Sequence, residues 1–336
     1  MKKRIIIFCF LIMALLLTAC GNIGNSVTGN KNPKVTFEPV SNSFYFEQLN
    51  EDEIQVLEEI LAMCQTYKGG VLELTEPISA NSWFRIVYTL NFDYEKRFWP
   101  LVTLYPCDEK GRVVNENSVE KTVSKIYVQL NDVEDNESIK AFRLKYSADG
   151  SLLNEEELLH LMQNTTINEE DYIEKNRQIE EVEQEIIAGM PKNIGQRDAV
   201  IYFCNWIKDN MEYDSEVMYI NADAEERTSL YPNEYGNVSY RQCILQRKAV
   251  CGGLATILSD LCNQVGIPSY VVIGTIAGNG QSIQHGWVAV EIGGQTLYID
   301  PTYVVTMKRM DMFCTKEQLK SRSDGRCYIF TEVFEY

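Results

Sequence analysis

Residues 247–266 read RKAVCGGLATILSDLCNQVG and form the most informative segment of the chain. Its apolar residues recur at the three- and four-residue spacing of one helix face: Leu254, Ile257, Leu258, Leu261 and Val265. Gly266 follows, and glycine is a typical helix stop. The pattern predicts a helix that begins close to Cys251 and ends at Gly266. Cys262, on nearly the same face as Cys251, is expected to pack in the core.

The predicted helix places Cys251 at its N-terminus. The positive end of the helix dipole and the unpaired amides there favour a thiolate over a thiol, and they can bind a developing oxyanion. Gly252 and Gly253 follow directly, although a glycine inside a helix costs about 1 kcal/mol relative to alanine. We interpret them as part of a substrate cleft, where a substrate backbone must approach closely.

A β-hairpin is predicted further along the chain. Residues 284–292 alternate as a strand, Gly293-Gly294 forms the turn, and residues 295–299 return. His285 lies near the start of the first strand and Asp300 follows the second, so antiparallel pairing brings the two side by side. Trp287 shares a strand face with His285, and it either walls the substrate cleft or packs in the core.

These three side chains have complementary chemistry. A cysteine at a helix start is a nucleophile, an imidazole is a base, and a carboxylate beside the imidazole fixes its tautomer and stabilises its charged form. The pattern predicts a catalytic triad of Cys251, His285 and Asp300. The only other histidine, His160, lies in an apolar run and is expected to be a structural helix residue.

The motifs that carry these residues resemble a known family. V-C-G-G at 250–253, G-I-P at 266–268, H-G-W at 285–287 and Y-I-D-P-T at 298–302 resemble the transglutaminase-like superfamily. The resemblance covers roughly residues 195–305. It implies an α+β, papain-like core in which the nucleophile begins a helix packed on an antiparallel sheet. It also implies that Tyr213, the aromatic residue ahead of a long loop, helps to form the oxyanion site.

The chain departs from the usual bacterial pattern around this site. Many relatives have C-E-G followed by an aromatic residue, then H-A-W-N and D-P-T-W. The corresponding residues here are Gly252, Leu254, Gly286, Val288 and Tyr303. These changes leave the three reactive residues in place and affect the surrounding pocket, so they bear on substrate choice.

The first twenty residues have the order of a secretory signal. Lys2, Lys3 and Arg4 precede thirteen apolar residues, 5–17, and Leu-Thr-Ala-Cys ends at Cys20. This ending resembles the lipobox of bacterial lipoproteins, in which the cysteine is lipidated. We expect residues 1–19 to be removed and Cys20 to anchor the protein on the extracytoplasmic face of the cell membrane. The alternative is an ordinary signal peptide that ends near a cysteine.

The remaining chain divides into four predicted segments. Residues 20–40 are a flexible tether, and residues 41–165 form a small α+β domain of unknown role. That domain contains a helix over 50–67 and β-runs that include residues 84–88 and 123–128. Residues 166–192 form a connecting helix, and residues 193–336 form the catalytic domain.

Composition excludes several classes of partner and cofactor. Lysine and arginine total 31 against 48 aspartate and glutamate, a net charge of -17, which argues against binding nucleic-acid phosphate. With two histidines and no metal-binding motif, neither a metal site nor a cofactor is predicted. The expected partners are a protein or peptide of the cell envelope and the lipid bilayer. Cys314 and Cys327 are the first disulfide pair to test, and the oligomeric state is not indicated.

Two functional hypotheses follow. The first is a membrane-anchored thiol enzyme that acts on amide bonds through a thioester, with hydrolysis slightly favoured over amine transfer or crosslinking. The second is a non-catalytic binding or scaffolding lipoprotein of the cell envelope that retains the fold.

Overall fold

The computed structural model describes residues 32–66, 70–94, 102–107, 109, 122–130, 169–214, 243–278, 281–307, 313–322 and 325–336. The predicted signal segment, Cys20, the first part of the tether and His160 lie outside the described residues. Of the predicted long loop between Tyr213 and Arg247, only the two ends are described.

The N-terminal half packs two helices on a small sheet. After a 3-10 turn at Phe46–Gln48, its elements are α1 (Glu51–Cys64), β1 (Gly70–Ser79), α2 (Ala80–Asp93), β2 (Val102–Cys107) and β3 (Thr122–Leu130). The strands are antiparallel in the order β1-β3-β2. Asn50 and Glu53 form a capping box at the start of α1. Leu57, Ile60, Ile86 and Ile126 are fully buried in the core of this half.

One sequence prediction in this half is wrong. Residues 84–88 were predicted as a β-run because they are rich in aromatic and β-branched residues, but they lie inside α2. The Ser79 side chain accepts a hydrogen bond from the Ser82 N–H and caps this helix. The buried residues Trp83, Ile86, Val87 and Leu90 then recur at helical spacing. Helical burial of this face outweighs the local strand propensity.

The C-terminal half contains the predicted α+β core. Its elements are α3 (Glu169–Ala188), α4 (Gln196–Asn210), β4 (Glu212–Tyr213), α5 (Cys243–Gln246), β5 (Lys248–Ala249), α6 (Cys251–Gln264), β6 (Ser269–Gly278), β7 (Gln281–Ile292), β8 (Gln295–Ile299), α7 (Pro301–Met307), α8 (Lys316–Lys320) and β9 (Cys327–Phe330). The predicted helix at Cys251 and the predicted hairpin are therefore both present. Helix α3 buries Ile179 and Ile186 in the same core as α6.

Four strands of this half form one antiparallel sheet in the order β8-β7-β6-β9. Helix α6 packs on one face of the sheet, where its leucines meet Val288 and Val290 of β7. The opposite face carries a second, aromatic core. Strand β8 ends at Ile299, which pairs with Val288, so Asp300 emerges beside the first half of β7. This register sets the position of the site.

The two halves meet through aromatic residues that precede α1. Tyr45 is fully buried, and its hydroxyl donates a hydrogen bond of 2.5 Å to the Val271 carbonyl of β6. The Phe44 ring stacks on Tyr270, with centroids 3.7 Å apart. Phe334 contacts the Tyr45 ring edge-on. The segment ahead of the first helix thus belongs to the packing of the C-terminal sheet.

The cysteines of the described segments are all thiols. The backbone of Cys314 pairs with Tyr298 of β8 in an isolated β-bridge. Cys327 begins β9, where it pairs with Ala277 of β6. Strands β8, β7 and β6 lie between these two residues in the sheet, and no disulfide joins the candidate pair. Cys262 is buried, as predicted.

No helix within the described part of the chain is long and apolar enough to cross a bilayer.

Candidate active site

The structure brings Cys251, His285 and Asp300 together. The Nε2 atom of His285 lies 2.9 Å from Oδ2 of Asp300, and both side chains are almost fully buried. The His285 ring also makes a side-chain hydrogen bond with the Cys251 thiol. Because Nε2 faces Asp300, Nδ1 is the nitrogen that remains for Cys251. The contacts form a continuous chain from sulfur through imidazole to carboxylate.

The position of each residue follows from its element. Cys251 is the first residue of α6, and Val250 caps this helix without a side-chain hydrogen bond. His285 lies on the part of β7 that extends beyond the end of β8. The backbone N–H of Gly286 donates a hydrogen bond to the Cys251 sulfur on this part of the strand, which is buried and not paired with β8. Strand pairing and helix packing therefore bring the nucleophile to the imidazole.

The electrostatics of the site favour an ion pair. Burial opposes ionisation of the Cys251 thiol, but hydrogen bonding and charge from His285 outweigh it and hold the thiol pKa below its ordinary value. Burial likewise opposes protonation of His285, yet the Asp300 carboxylate raises the His285 pKa to about 10. For Asp300, the opposing effect of burial is overcome mainly by the His285 charge, which lowers the carboxyl pKa. Each of these directions favours the charged form of its group, so the site favours a thiolate paired with an imidazolium.

Asp300 is held by four donors. The backbone N–H groups of Thr302 and Tyr303, in the first turn of α7, donate to Oδ1 at 3.0 and 3.2 Å. The second oxygen, Oδ2, accepts from His285 and also from the Tyr328 hydroxyl at 2.6 Å. A buried carboxylate with this many donors is strongly favoured in its ionised form.

Sequence reasoning missed Tyr328. This residue lies in β9, outside the motifs that predicted the site, and it is almost fully buried. Its sequence context, Cys-Tyr-Ile-Phe, is that of any short strand. Only the pairing of β9 with β6 brings its hydroxyl to Asp300. Buried and exposed residues alternate along β9, which faces Tyr328 inward, but no sequence signal indicates its polar partner.

Tyr213 lies next to the site, as the resemblance implied. It is half-buried, and its two-residue strand β4 runs parallel to β5, which immediately precedes α6. Burial raises the pKa of the Tyr213 hydroxyl, and the nearby charges of Cys251 and Asp300 raise it further. The hydroxyl is therefore a neutral hydrogen-bond donor beside the nucleophile.

The two glycines of the predicted cleft have different surroundings. Gly252 is partly exposed and faces Gly286, where an added Cβ would lie 3.7 Å from the Gly252 Cα. The pair allows helix and strand to approach closely. Gly253 is buried and does not line an open cleft. The prediction that Gly253 lines the cleft is therefore wrong, and this glycine serves close packing of the helix instead.

Trp287 also packs in the core instead of lining the cleft. Its ring is fully buried and meets the edges of Tyr328 and Phe330, with centroids 5.1 Å away in each case. It stacks near the His285 imidazole at 6.1 Å. Of the two alternatives, the structure favours core packing, with Trp287 forming the floor beneath the imidazole.

A cleft of about 290 Å³ opens beside His285 and Asp300. Its apolar surface includes Ile276, Ile283 and Met307, and Tyr213 and Tyr303 add aromatic surface. The Arg326 guanidinium also lines the cleft and lies over the Tyr303 ring, 4.8 Å from its centroid. Tyr303 is one of the residues that departs from the usual family pattern. The lining suits an apolar group of a substrate. In the described segments, no group of three or more histidine, cysteine or acidic side chains could hold a metal ion.

A family model matches the part of the chain that carries these residues. The family model for the transglutaminase-like superfamily matches residues 180–301, which include Cys251, His285 and Asp300. No curated protein matches the chain.

Two solved structures are similar to parts of the chain. One, "Crystal structure of a TGase", is 18% identical, with a TM-score of 0.34, and the match covers 62% of this chain and 48% of that one. The other, titled a "Putative Cysteine Protease from Cytophaga hutchinsonii", is 18% identical with a TM-score of 0.30, covering 47% and 43%. The chain thus spans less than half the length of either structure. The match to the transglutaminase-like superfamily is limited to residues 180–301 of this chain.

Proposed function

We propose that this protein is a thiol enzyme that acts on amide or peptide bonds. The observation that supports the proposal most strongly is the contact chain from Cys251 through His285 to Asp300. A buried carboxylate, an imidazole and a thiol at a helix start form the arrangement that activates a nucleophile in acyl transfer. The match to the transglutaminase-like superfamily supports the same class of chemistry.

The proposed first step is acylation of the enzyme. The Cys251 thiolate attacks the carbonyl carbon of the amide, and negative charge moves onto the carbonyl oxygen. The Cys251 backbone N–H and the Tyr213 hydroxyl donate hydrogen bonds to this oxyanion. The His285 imidazolium then gives its proton to the leaving nitrogen as the C–N bond breaks. A thioester and a free amine result.

The second step releases the acyl group. Neutral His285 takes a proton from water or from an amine, which attacks the thioester carbonyl, and the Cys251 thiolate leaves. Water gives hydrolysis and an amine gives transfer or crosslinking. We favour hydrolysis slightly, with a protein or peptide of the cell envelope as the substrate.

The proposal is tested with denatured casein and dansylcadaverine as probes. The full chain is expected to generate new casein N-termini, detected by mass spectrometry, with less amine incorporation into glutamine side chains. Both products should disappear in Cys251→Ala and persist in Cys314→Ala, which removes another partly exposed thiol. A thiol probe that labels Cys251 only after unfolding would contradict the proposal and leave the non-catalytic scaffold as the better account.

The proposed location is the extracytoplasmic face of the cell membrane, with Cys20 as the lipid anchor. The support is the order of basic, apolar and small residues before that cysteine. We expect the protein expressed in bacteria to partition with membranes and to begin at a lipidated Cys20. The Cys20→Ser variant should not acquire the lipid. A soluble wild-type protein that retains residues 1–19 would contradict this part of the proposal.

A further inference from the structure

The far side of the triad, away from Cys251, is built by the C-terminal strand β9. Its Tyr328 hydroxyl donates a 2.6 Å hydrogen bond to Oδ2 of Asp300, the same oxygen that lies 2.9 Å from His285 Nε2. The matched superfamily segment ends at residue 301, so Tyr328 lies outside it. Two donors therefore share one carboxylate oxygen, and one of them comes from a strand that the family motifs do not include.

The Tyr328 ring is fixed by its packing. The Tyr328 ring contacts the Trp287 ring edge-on, with the ring centroids 5.1 Å apart. It is also edge-on to the His285 ring, with the centroids 6.3 Å apart. The Tyr328 side chain is almost fully buried. Because the phenol is held by β9 and by the Trp287 ring, its O–H points at Asp300 without depending on the hydrogen bond of His285.

We propose that Tyr328 is a positioning residue of the active site. By occupying one acceptor position of Asp300 Oδ2, it leaves a single direction from which His285 Nε2 can donate, and it limits how strongly the carboxylate binds the imidazolium. The inference rests on the proposed function of Cys251 and deepens it. Tyr328 does not contact the reacting atoms and acts through Asp300 and His285.

Other charged and titratable groups surround the same pair. Cys251 faces His285 from α6, and Tyr213 faces Cys251 and Asp300 from β4. Arg322 and Arg326 act on Tyr328 from the β9 side and oppose the effect of Asp300 on its ionisation. Burial and the Asp300 charge together raise the pKa of the Tyr328 hydroxyl. The phenol therefore stays neutral and remains a donor throughout the working range of the site.

Removal of the Tyr328 hydroxyl should change the titration of His285 in a defined direction. In Tyr328→Phe, Asp300 keeps its charge but loses one donor, so the carboxylate becomes a stronger acceptor for the imidazolium. The pKa of His285 should rise by about one unit, because a hydrogen bond to a charged group has an energy of that order. The acceptor position vacated on Asp300 Oδ2 also gives His285 Nε2 a second direction in which to donate, so the imidazole is less well oriented toward Cys251, and alkylation of Cys251 by iodoacetamide at pH 6 should slow by about three- to tenfold.

The experiment is an NMR titration of the full chain labelled with ¹⁵N-histidine. The chain has only two histidines, and His160→Gln assigns the remaining imidazole signals to His285. Tyr298→Phe is the matched control, because Tyr298 is a buried tyrosine of the same aromatic core whose hydroxyl bonds to Tyr270 and not to Asp300. We expect the His285 midpoint to rise in Tyr328→Phe and to stay at the wild-type value in Tyr298→Phe.

A His285 midpoint in Tyr328→Phe that is unchanged or lowered would overturn the inference. The same holds if both tyrosine variants change the titration and the alkylation rate equally, since that pattern indicates loss of packing. Failure of the proposed function would look different. In that case wild-type Cys251 would itself react as an ordinary thiol at pH 6, whatever residue occupies position 328.

Discussion

At the residue scale, the reactivity of Cys251 is decided by His285, whose charged form Asp300 stabilises, acting against burial. An isolated buried thiol stays protonated, as the pKa of Cys204 illustrates, since burial alone raises it well above the ordinary value. Cys251 differs because His285 and the Gly286 N–H both stabilise its thiolate. The negative charge of Asp300 is what keeps His285 protonated. Through His285, the Asp300 carboxylate therefore influences the charge state of the Cys251 sulfur, which it does not contact.

Asp300→Asn tests this dependence. The neutral amide no longer stabilises the imidazolium, so burial should return the His285 pKa toward or below its ordinary value. The thiolate then loses its partner, and the rate of Cys251 alkylation at pH 6 should fall by about tenfold or more, since one pKa unit corresponds to a tenfold change in population. Far-UV circular dichroism of the variant checks the fold. Wild-type alkylation kinetics in a folded Asp300→Asn protein would be incompatible with the role of the carboxylate.

Tyr213→Phe separates oxyanion binding from thiolate formation. Loss of one oxyanion donor costs about 100-fold in kcat in comparable sites. Iodoacetamide forms no tetrahedral oxyanion, so the alkylation rate of Cys251 should stay within about twofold of wild type. The two rates are measured side by side on casein cleavage and on alkylation. Equal losses in both assays would show that Tyr213 acts on the thiol and not on the oxyanion.

At the element scale, the site depends on how closely β9 approaches β6. Gly274 of β6 pairs with Phe330, and an added Cβ there would lie only 2.1 Å from the Ile329 carbonyl oxygen and 2.7 Å from the Trp287 ring. A backbone oxygen cannot move away without moving its strand. The absence of a side chain at Gly274 therefore allows β9 to bring Tyr328 to Asp300.

Gly274→Ala should displace β9 and so disturb the hydrogen bond from Tyr328 to Asp300, although Gly274 itself does not contact the triad. We expect a loss of about 1–3 kcal/mol in the free energy of unfolding, which is typical of overpacking, and slower alkylation of Cys251. Thr275→Ala, at the next position of the same strand, is the control. Chemical denaturation and alkylation kinetics measure the two effects. A stable Gly274→Ala protein with wild-type kinetics would show that the β6–β9 contact does not constrain the site.

Sequence patterns predicted the elements that carry the nucleophile and its base. Helix α6 and the β7–β8 hairpin have clean periodicity, and their turn geometry alone brings Asp300 beside His285. Helix α2 was missed because its β-branched and aromatic residues favour strands until burial against the sheet is counted. Tyr328 and the tight contact at Gly274 could not be predicted, because both depend on the pairing of β9 with a strand about fifty residues earlier.

At the scale of the whole molecule, Asp93 helps to join the two halves. At the end of α2, its Oδ2 accepts hydrogen bonds from the backbone N–H groups of Phe46 and Tyr45 at 2.7 and 3.0 Å. Tyr45 in turn donates to Val271 of the C-terminal sheet. Burial raises the pKa of the Asp93 carboxyl to about 7, against the lowering effect of the two N–H donors. A titratable group thus lies at the junction.

This pKa predicts how stability depends on pH. The carboxyl titrates near 3.8 when exposed and near 7 in the folded protein, so between these values the folded state binds more protons than the unfolded state. The contribution of Asp93 to stability is therefore greatest at low pH and is lost as pH rises toward 7, by about 4 kcal/mol.

Asp93→Asn should flatten this part of the stability profile, because the amide keeps an acceptor for the two N–H groups and does not ionise. Urea unfolding at intervals from pH 4 to 7.5 measures the change, with Glu58→Gln as the control for an exposed carboxylate that does not act on Asp93. Parallel wild-type and Asp93→Asn profiles would rule out Asp93 as the titrating group.

The central claim is that Cys251 exists as a thiolate paired with the His285 imidazolium. The direct measurement is the rate of iodoacetamide alkylation of Cys251 from pH 5 to 9, followed by peptide mass spectrometry with buried Cys262 as the internal reference. The account predicts that the rate at pH 6 lies within a few-fold of the rate at pH 8, and that His285→Ala restores a tenfold fall per pH unit below about 8.5. A wild-type rate that already falls tenfold per pH unit over this range would contradict it.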